Sequence, residues 1–448
     1  MARKKKEEDN IKVLTSEQAK PIGQLFKEAY VGFGDYINNF RAIAHIVDGM
    51  KISYRRLIYT ASTFGKSVGL VPSLGLINAV SKVHSHGLSG IELANALLVR
   101  SGVFEGSGWF GKMQIDSVDN PHSNPRYTKN RLSDLYWSII GDLLKEVPYV
   151  ESPQGAPEPT FIPLPIGLCW YQKNLVSGLG LGINVVYPNF SPKSLYQAYI
   201  HDDPKYLEPN VDLMIDKHNS ELERLWRTGK GKITYVYKIS RFKEDNIEGI
   251  LFETRDGTDI FTPKLGKFKK LVEDGKVFIE DRTDESGSKL LVGRVPGARG
   301  ITIDEIESVA RKCCYDSTVY TINLTDGSSV FRMPLRDWLD YTIKNYISFV
   351  DKVNQKRIGE VEFNIEVQKA LPVIANYIIN TNPGASDKDI CKALNVDEAI
   401  VKEVMSKPIS YLRKNKDTSE RVKALTGKLK ELKKFDPTKF TEEIINKL

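Results

Sequence analysis

Two runs of apolar residues in the C-terminal part of the chain set the strongest constraint on what it can fold into. After Pro334, residues Ile343, Tyr346, Val350 and Val353 recur at alternating steps of three and four, and Val422, Leu425, Leu429 and Leu432 repeat that spacing. The alternation keeps one stripe of a helix apolar over successive turns, so each run predicts a helix that must bury that stripe against something. Paired antiparallel, the two would form a long coiled coil, with Pro383-Gly384-Ala385 and Lys407-Pro408 bounding a small helical globule at its tip. Two shorter, separately packed helices are the alternative.

The texture upstream differs. Residues from about 20 to 150 alternate short helical patterns with glycine-rich breaks: Tyr54 to Ser62, Leu74 to Val83 and Gly87 to Leu98 each predict a helix. The last two are joined by the short turn from His84 to Gly87, the arrangement of a helix-turn-helix whose second helix enters a DNA major groove. From Pro153 to Val330 the chain is rich in strand patterns such as Ile233 to Tyr237 and Val319 to Leu324, with turns expected at Arg255-Asp256-Gly257 and Thr325-Asp326-Gly327.

At 448 residues with 41% hydrophobic content the chain exceeds one core, and three or four structural units are expected. No apolar run is long enough for a membrane span. The first nine residues are charged, lack a signal-peptide core and read as a frayed tail. Cys169, Cys313, Cys314 and Cys391 show no metal-binding spacing, which suits a reducing, cytoplasmic setting and predicts no metal site in this chain. The net charge of +7 is modest. Its distribution is more informative: Arg41, Lys51, Arg55, Arg56 and Lys66 face the single acid Asp48 over a short stretch, which suits a surface that neutralises phosphates. An ordinary solvated helix face is the alternative.

The candidate chemistry lies in Asn124-Pro125-Arg126-Tyr127-Thr128-Lys129-Asn130-Arg131-Leu132 and, upstream of it, Lys82-Val83-His84-Ser85-His86-Gly87. A phenol with a pKa of about 10 is a weak nucleophile until a neighbour takes its proton or stabilises its anion. Attack on phosphorus builds charge on the non-bridging oxygens, which a planar guanidinium can hold two at a time. Tyr127 as nucleophile, Arg126 as charge stabiliser and His86 as the group polarising the phenol make a consistent set. An arginine-tyrosine pair alone is a weak signal.

The ordered set of motifs is stronger, and it resembles the type IIA DNA topoisomerases, the gyrase A and topoisomerase IV A family. Its first motif is matched by Arg41-Ala42-Ile43-Ala44-His45-Ile46-Val47-Asp48-Gly49-Met50-Lys51-Ile52-Ser53-Tyr54-Arg55-Arg56, and its histidine motif by Lys82 to Gly87. The glycine loop falls on Gly106-Ser107-Gly108-Trp109-Phe110-Gly111, the tyrosine motif on Arg126 to Leu132, and a later glycine motif on Ser177-Gly178-Leu179-Gly180-Leu181-Gly182. Motif prolines are replaced by Ile52 and Ser85, and an asparagine by Trp109. Ser89 keeps one of two family drug-contact positions, while Leu93 stands where the second is acidic.

The resemblance implies an α+β multidomain fold: an N-terminal arm (1–25), a winged-helix DNA-binding domain carrying Tyr127 (26–152), an α/β tower domain (153–332), a first coiled-coil helix (333–375), a C-terminal gate globule (376–412), a second coiled-coil helix (413–436) and a tail (437–448). It implies the DNA-cleaving and rejoining subunit of an ATP-dependent type II topoisomerase, an isomerase that opens a double-strand break through 5′-phosphotyrosine links. Tyr127, Arg126 and His86 would be catalytic; Arg41, Lys51, Arg55, Arg56, Lys82, His84 and Ser89 would grip DNA. Tyr187, aligned through Gly182 with the family's intercalating residue, would wedge into an opened base step, or else pack in a turn.

No Walker-type glycine loop, ATP-lid pattern or family Mg²⁺ motif occurs in the sequence. The resemblance therefore implies that Mg²⁺ and ATP are bound by a second subunit, and that the partners are double-stranded DNA, a second copy of this chain and that subunit, in a heterotetramer without membrane contact. The chain looks like the compact split enzymes of large phages, placed in the host cytoplasm. A DNA-organising protein that kept the scaffold without cutting is the alternative; a tyrosine recombinase would need further arginines and histidines around its nucleophile.

Overall fold

Local sequence and distant packing share the work of building the N-terminal part. The computed structural model describes residues 20–111, 122–170, 176–210, 214–216, 220–244, 247–254, 261–282, 288–414 and 418–448. Most of the expected N-terminal arm lies outside the described residues, and its last positions begin helix α1 (Ile22–Ile37), which leaves Ile22, Phe26, Tyr30 and Phe33 exposed. A wide turn of π-helix, Asn38–Ala42, leads from α1 into the segment that ends at Lys51.

Helix α2 (Ile52–Thr63) buries Tyr54, Leu57, Ile58 and Ala61, the one-face spacing of an amphipathic helix. Strand β1 (Val71–Pro72) runs into α3 (Ser73–Val80), and after the histidine turn comes α4 (Ser89–Arg100). Strands β2 (Phe104–Ser107) and β3 (Lys129–Leu132) complete a three-stranded antiparallel sheet in the order β1-β3-β2, with Gly106 opposite Asn130 and Glu105 opposite Arg131. All three helices predicted before residue 100 are present, and the tyrosine motif forms the central strand and the turn leading into it. Helix α5 (Asp134–Ile140), capped by the Ser133 hydroxyl, and the hairpin β4 (Tyr149–Glu151) and β5 (Pro157–Pro159) close this region.

The hairpin β6 (Val176–Leu179) and β7 (Asn184–Tyr187) packs on the π-turn. A side chain at Gly178 would meet the Ala42 carbonyl oxygen at 2.1 Å, so only glycine admits this approach. Beyond it lie α6 (Pro192–His201), β8 (Met214–Ile215), α7 (Ser220–Thr228), β9 (Lys230–Val236), β10 (Lys238–Glu244), β11 (Ile247–Thr254), α8 (Phe261–Glu273), β12 (Val277–Asp281), β13 (Ser288–Arg294), α9 (Ile303–Cys313), β14 (Tyr315–Thr321), β15 (Asn323–Thr325) and β16 (Val330–Arg332). They make two main antiparallel sheets, β14-β9-β8 and β10-β11-β13-β12. In β9, Gly231, Ile233 and Tyr235 point inward and alternate with more exposed residues, the period-two pattern behind the expected strand. Helix α9 begins at a capping box, in which the Thr302 hydroxyl accepts from Glu305 N and the Glu305 carboxylate accepts from Thr302 N. The expected turn at Thr325-Asp326-Gly327 joins β15 to β16. The turn at Arg255-Asp256-Gly257 lies outside the described residues.

Helix α10 (Leu335–Asn376) is 42 residues long, which at about 1.5 Å per residue spans roughly 63 Å. Helices α11 (Asp387–Leu394), α12 (Glu398–Met405) and α13 (Ile409–Lys414) form a separate small core with Val367, Leu371 and Ile374 of α10. Helix α14 (Ser419–Lys433) returns antiparallel along α10: Asn354 donates to the Leu432 carbonyl and Thr418 to the Gln368 carbonyl. The pairing register departs from the expectation. Ile343 packs in the main core, and Tyr346, Val350 and Val353 cluster with Leu143, Phe435 and Phe440, so α14 faces the following stretch of α10. Periodicity marks a helix that buries one stripe but does not say against what.

The expected tail is α15 (Pro437–Lys447), whose Ile444 and Ile445 are buried in the main core. Its start is set by Asp436, which accepts from the backbone N–H groups of Thr438 and Lys439. Among the described residues no helix is long and apolar enough to cross a membrane. Ile445→Ala should destabilise the main core by about 2–4 kcal/mol, read as a lowered urea midpoint of tryptophan fluorescence, while Lys447→Ala should stay within about 0.5 kcal/mol. Equal midpoints in the two variants would refute the docking of α15.

Candidate nucleic-acid interface

Tyr127 ends a short 3₁₀ turn, Pro125–Tyr127, whose first peptide is capped by Asn124: the side-chain oxygen accepts from Arg126 N at 3.1 Å and from Arg126 Nε at 3.3 Å. The tyrosine is 72% exposed. The Arg126 guanidinium lies 5.8 Å from the centre of its ring, so the two expected partners are neighbours with no burial penalty on either.

The turn is exposed but its base is braced. Thr128 Oγ1 donates to Ser73 Oγ at 2.8 Å, Ser73 Oγ donates to Asn130 Oδ1 at 2.8 Å, and Asn130 Nδ2 donates to Asn95 Oδ1 at 2.7 Å. All four side chains are buried, and they tie α3, β3 and α4 together directly behind the tyrosine. Gly108, at φ +105°, lets the glycine loop lie on this turn, since a side chain there would stand 3.1 Å from the Tyr127 carbonyl oxygen. Ser73 and Asn95 carry no motif that sequence reading singles out, and nothing in the tyrosine motif marks Asn130 as their partner; only the fold brings the three together. Arg131 is held by Glu105 and Asp134 at the exposed edge.

Arg55 and Arg56 were expected on the DNA surface, and the structure corrects both. Arg55 donates from Nε and Nη2 to the Asp48 carboxylate at 2.8 and 3.0 Å, and Asp48 is wholly buried. Arg56 makes a two-bonded pair with Glu158 at 2.6 and 2.8 Å, also buried. Desolvated guanidinium groups need a matched carboxylate, and these two have one. Glu158 stands about a hundred residues away in sequence, so a local charge count could not anticipate it.

His84 is buried as well. Its Nδ1 lies 3.3 Å from Arg56 Nη1, and its ring stands edge-on to His86 at 5.3 Å. Burial, with the nearby Arg56, His86 and Arg41 charges, pushes its pKa down to about 4, so it is neutral at pH 7 and braces rather than grips. His86 is more open, and burial with Arg41 and Arg56 lowers its pKa as well. Its Nε2 lies 2.6 Å from Tyr36 Oη, a contact from α1 that sequence reading missed. Among the described residues no hydrogen bond or ring contact joins His86 to Tyr127.

Arg41, Lys82 and Ser89 are exposed, with Ser89 opening α4, and Lys129 adds a charge beside Tyr127. Lys51 is half-buried beside Gly178, and burial lowers its pKa. Tyr187 is not placed to wedge into DNA. It is fully buried against Trp338, donates to the Asn323 carbonyl at 2.6 Å and accepts from Ala44 N at 3.2 Å. Strand alternation turns it inward with Val185. Among the described side chains of this hairpin the exposed apolar one is Leu179, at 82% exposure between two glycines. The glycine-leucine-glycine run was the available signal.

Residues 41–448 match the family model that describes the A subunit of DNA gyrase/topoisomerase IV. The chain belongs to this family. Its similar proteins include the DNA gyrase A subunit of Escherichia coli (strain K12), 27% identical over 60% of this chain and 34% of that protein. The DNA gyrase A subunit of Clostridium acetobutylicum is 23% identical over 78% of the chain and 44% of that protein, and the DNA topoisomerase 4 A subunit of Pseudomonas aeruginosa is 23% identical over 74% and 47%. The chain thus spans less than half the length of these curated relatives.

The family implies Mg²⁺, and the carboxylates of this site do not fit it: Asp48 and Glu158 are consumed by Arg55 and Arg56, and Glu105 and Asp134 by Arg131. Among the described residues no three His, Cys, Asp or Glu side chains converge as metal ligands. Glu158→Gln, which leaves the buried Arg56 charge without its counter-ion, should cost about 3–5 kcal/mol in urea unfolding, while Arg56→Met with Glu158→Met should recover most of that loss. A Glu158→Gln variant as stable as the parent would show that the pair is not a buried charge couple.

Proposed function

We propose that this chain is the DNA-cleaving and rejoining component of a type II topoisomerase, acting as a homodimer on a bent duplex. The observation that carries the reading is an outward-facing phenol beside a guanidinium, on a turn held rigid by a buried hydroxyl–amide chain within a gyrase A family match. The Tyr127 oxygen would attack a backbone phosphorus, its proton passing to solvent water, and form the 5′-phosphotyrosine bond as the bond to the 3′ oxygen breaks and that oxygen takes up a proton from water. Arg126 would hold the charge that builds on the non-bridging oxygens. Religation is the reverse, with the 3′ oxygen displacing the phenol.

In this reading residues 26–152 are a winged-helix domain with α4 as its groove helix, residues 153–332 the tower, α10 with α14 the coiled coil, and α11 to α13 the dimer gate. Arg41, Lys51, Lys82, Ser89, Arg126 and Lys129 form the surface on the duplex. A second subunit would bring the ATPase and the Mg²⁺ ligands, because the carboxylates at this site are committed to arginines. Two-fold symmetry follows from cutting both strands, and the compartment would be the cytoplasm of the cell, the host's if the chain is phage-encoded. Leu179 would wedge into a base step, where unstacking costs a few kcal/mol offset by contacts along bent DNA.

Mixed with its metal-bearing partner and supercoiled plasmid, and trapped with detergent, the chain should leave protein covalently on 5′ ends. Tyr127→Phe should abolish these adducts while DNA retention changes little; undiminished adducts would reject Tyr127 as nucleophile. Leu179→Ala should lower the bend angle read by end-to-end energy transfer on a labelled duplex, whereas Tyr187→Phe should leave it unchanged. A bend unaltered by Leu179→Ala would refute the wedge.

A further inference from the structure

We infer that Tyr36 is a positioning residue for His86, holding the imidazole at Nε2 so that the ring meets DNA as a hydrogen-bond donor from Nδ1. The inference rests on the proposed cleavage reading and changes what His86 does within it. Tyr36 sits on the last turn of α1, and its Oη lies 2.6 Å from His86 Nε2 with the two rings edge-on at 5.8 Å. On another side the ring of His84 stands edge-on at 5.3 Å, itself against Arg56, which Glu158 fixes through two bonds. The imidazole is therefore steadied by a phenol from one helix and by a braced histidine from its own turn. Among the described residues its Nδ1 carries no hydrogen bond.

The chemistry sets the direction of the short bond. The charged or titratable groups that act on His86 are Tyr36 from α1, Arg41 from the π-turn, Arg56 from α2 and His84 from its own turn. Partial burial, with the Arg41 and Arg56 charges beside it, disfavours a further positive charge, so the neutral imidazole is favoured near pH 7. A neutral imidazole has one donor and one acceptor nitrogen. A phenol O–H is far more acidic than a neutral imidazole N–H, so the phenol donates to Nε2 and the ring proton resides on Nδ1. Held this way, His86 cannot take the Tyr127 proton at Nε2. It offers Nδ1–H to a phosphate oxygen or to the oxygen of the Tyr127 phenolate, adding a donor to the charge that Arg126 stabilises.

Tyr36→Phe keeps the ring contact and removes only the hydroxyl, and Tyr36 is exposed enough that the fold should tolerate it. In the chain labelled at histidine, the His86 resonance, identified by its loss in His86→Asn, should titrate at higher pH in Tyr36→Phe, because the bond favouring the neutral ring is gone. With plasmid and the partner subunit, single-turnover cleavage should fall by about tenfold, as for other ligand-orienting contacts. DNA binding should stay within about twofold. In a His86→Gln background, Tyr36→Phe should have no further effect on the rate. Unchanged His86 titration, or an equal rate loss with and without His86, would overturn the inference. Its failure is separable from failure of the cleavage reading: adducts that survive Tyr127→Phe sink the latter, while the His86 titration still reports the Tyr36 contact by itself.

Discussion

The Asp48 carboxylate is the point on which the N-terminal part of this protein turns. It is wholly removed from solvent and accepts from Arg55 through two bonds, from Met50 N and from Ile162 N, while its own carbonyl oxygen accepts from Leu168 N. One side chain thus joins the turn before α2, the first turns of α2 and the strand-like segment that follows β5. A buried charge is tolerated only when its hydrogen-bonding capacity is filled, and loss of any donor would leave an ion in a medium that cannot solvate it. Satisfying Asp48 fixes the orientation of α2, and α2 in turn carries Arg56 to Glu158 and to His84.

Two polar networks support the proposed cleavage surface, one of them starting from α2, and they differ in kind. One is neutral: Ser73, Thr128, Asn130 and Asn95 pass hydrogen bonds from one buried side chain to the next beneath the tyrosine turn. The other is charged and opens outward, from Glu158 through Arg56 and His84 to His86 and Tyr36. The proposed reactive groups stand at the exposed ends of supports that are themselves buried, so the geometry of the proposed DNA surface is set by parts that water does not reach. The same segment is clamped on its far side, where Ile46 N donates to the Thr325 carbonyl and Trp338 Nε1 to the Ile46 carbonyl, tying the first motif to the long helix α10.

Helical and strand elements were largely legible because they follow from short-range periodicity. The α2, α3 and α4 patterns, the alternation of β9 and the stripes of α10 and α14 are read from neighbours within a few residues. What periodicity left open was the identity of the surface each stripe covers. Tyr346 and Val350 lie on the expected face of α10 yet contact Leu143 and Phe435 rather than α14, and the residues after Asp436 continue as a helix that inserts Ile444 and Ile445 into the main core. Tyr187 shows the same limit within a hairpin: an aromatic before a proline is compatible with a wedge, but strand alternation and two backbone partners from other segments turn it inward.

The sequence by itself determined the residue types needed for the proposed phosphoryl chemistry, their order along the chain, and the glycines without which Gly108 and Gly178 could not let backbones approach. Those are local properties: the acidity of a phenol, the fork of a guanidinium, the missing Cβ of glycine. Only the tertiary structure decided which basic residues remain on the proposed DNA surface, because that depends on whether a carboxylate from a distant segment arrives beside them. Asp48 and Glu158 remove Arg55 and Arg56 from that surface, and Tyr36 reaches His86 across fifty residues of chain. Burial and charge pairing are set by the packed whole, and no count along the chain contains them.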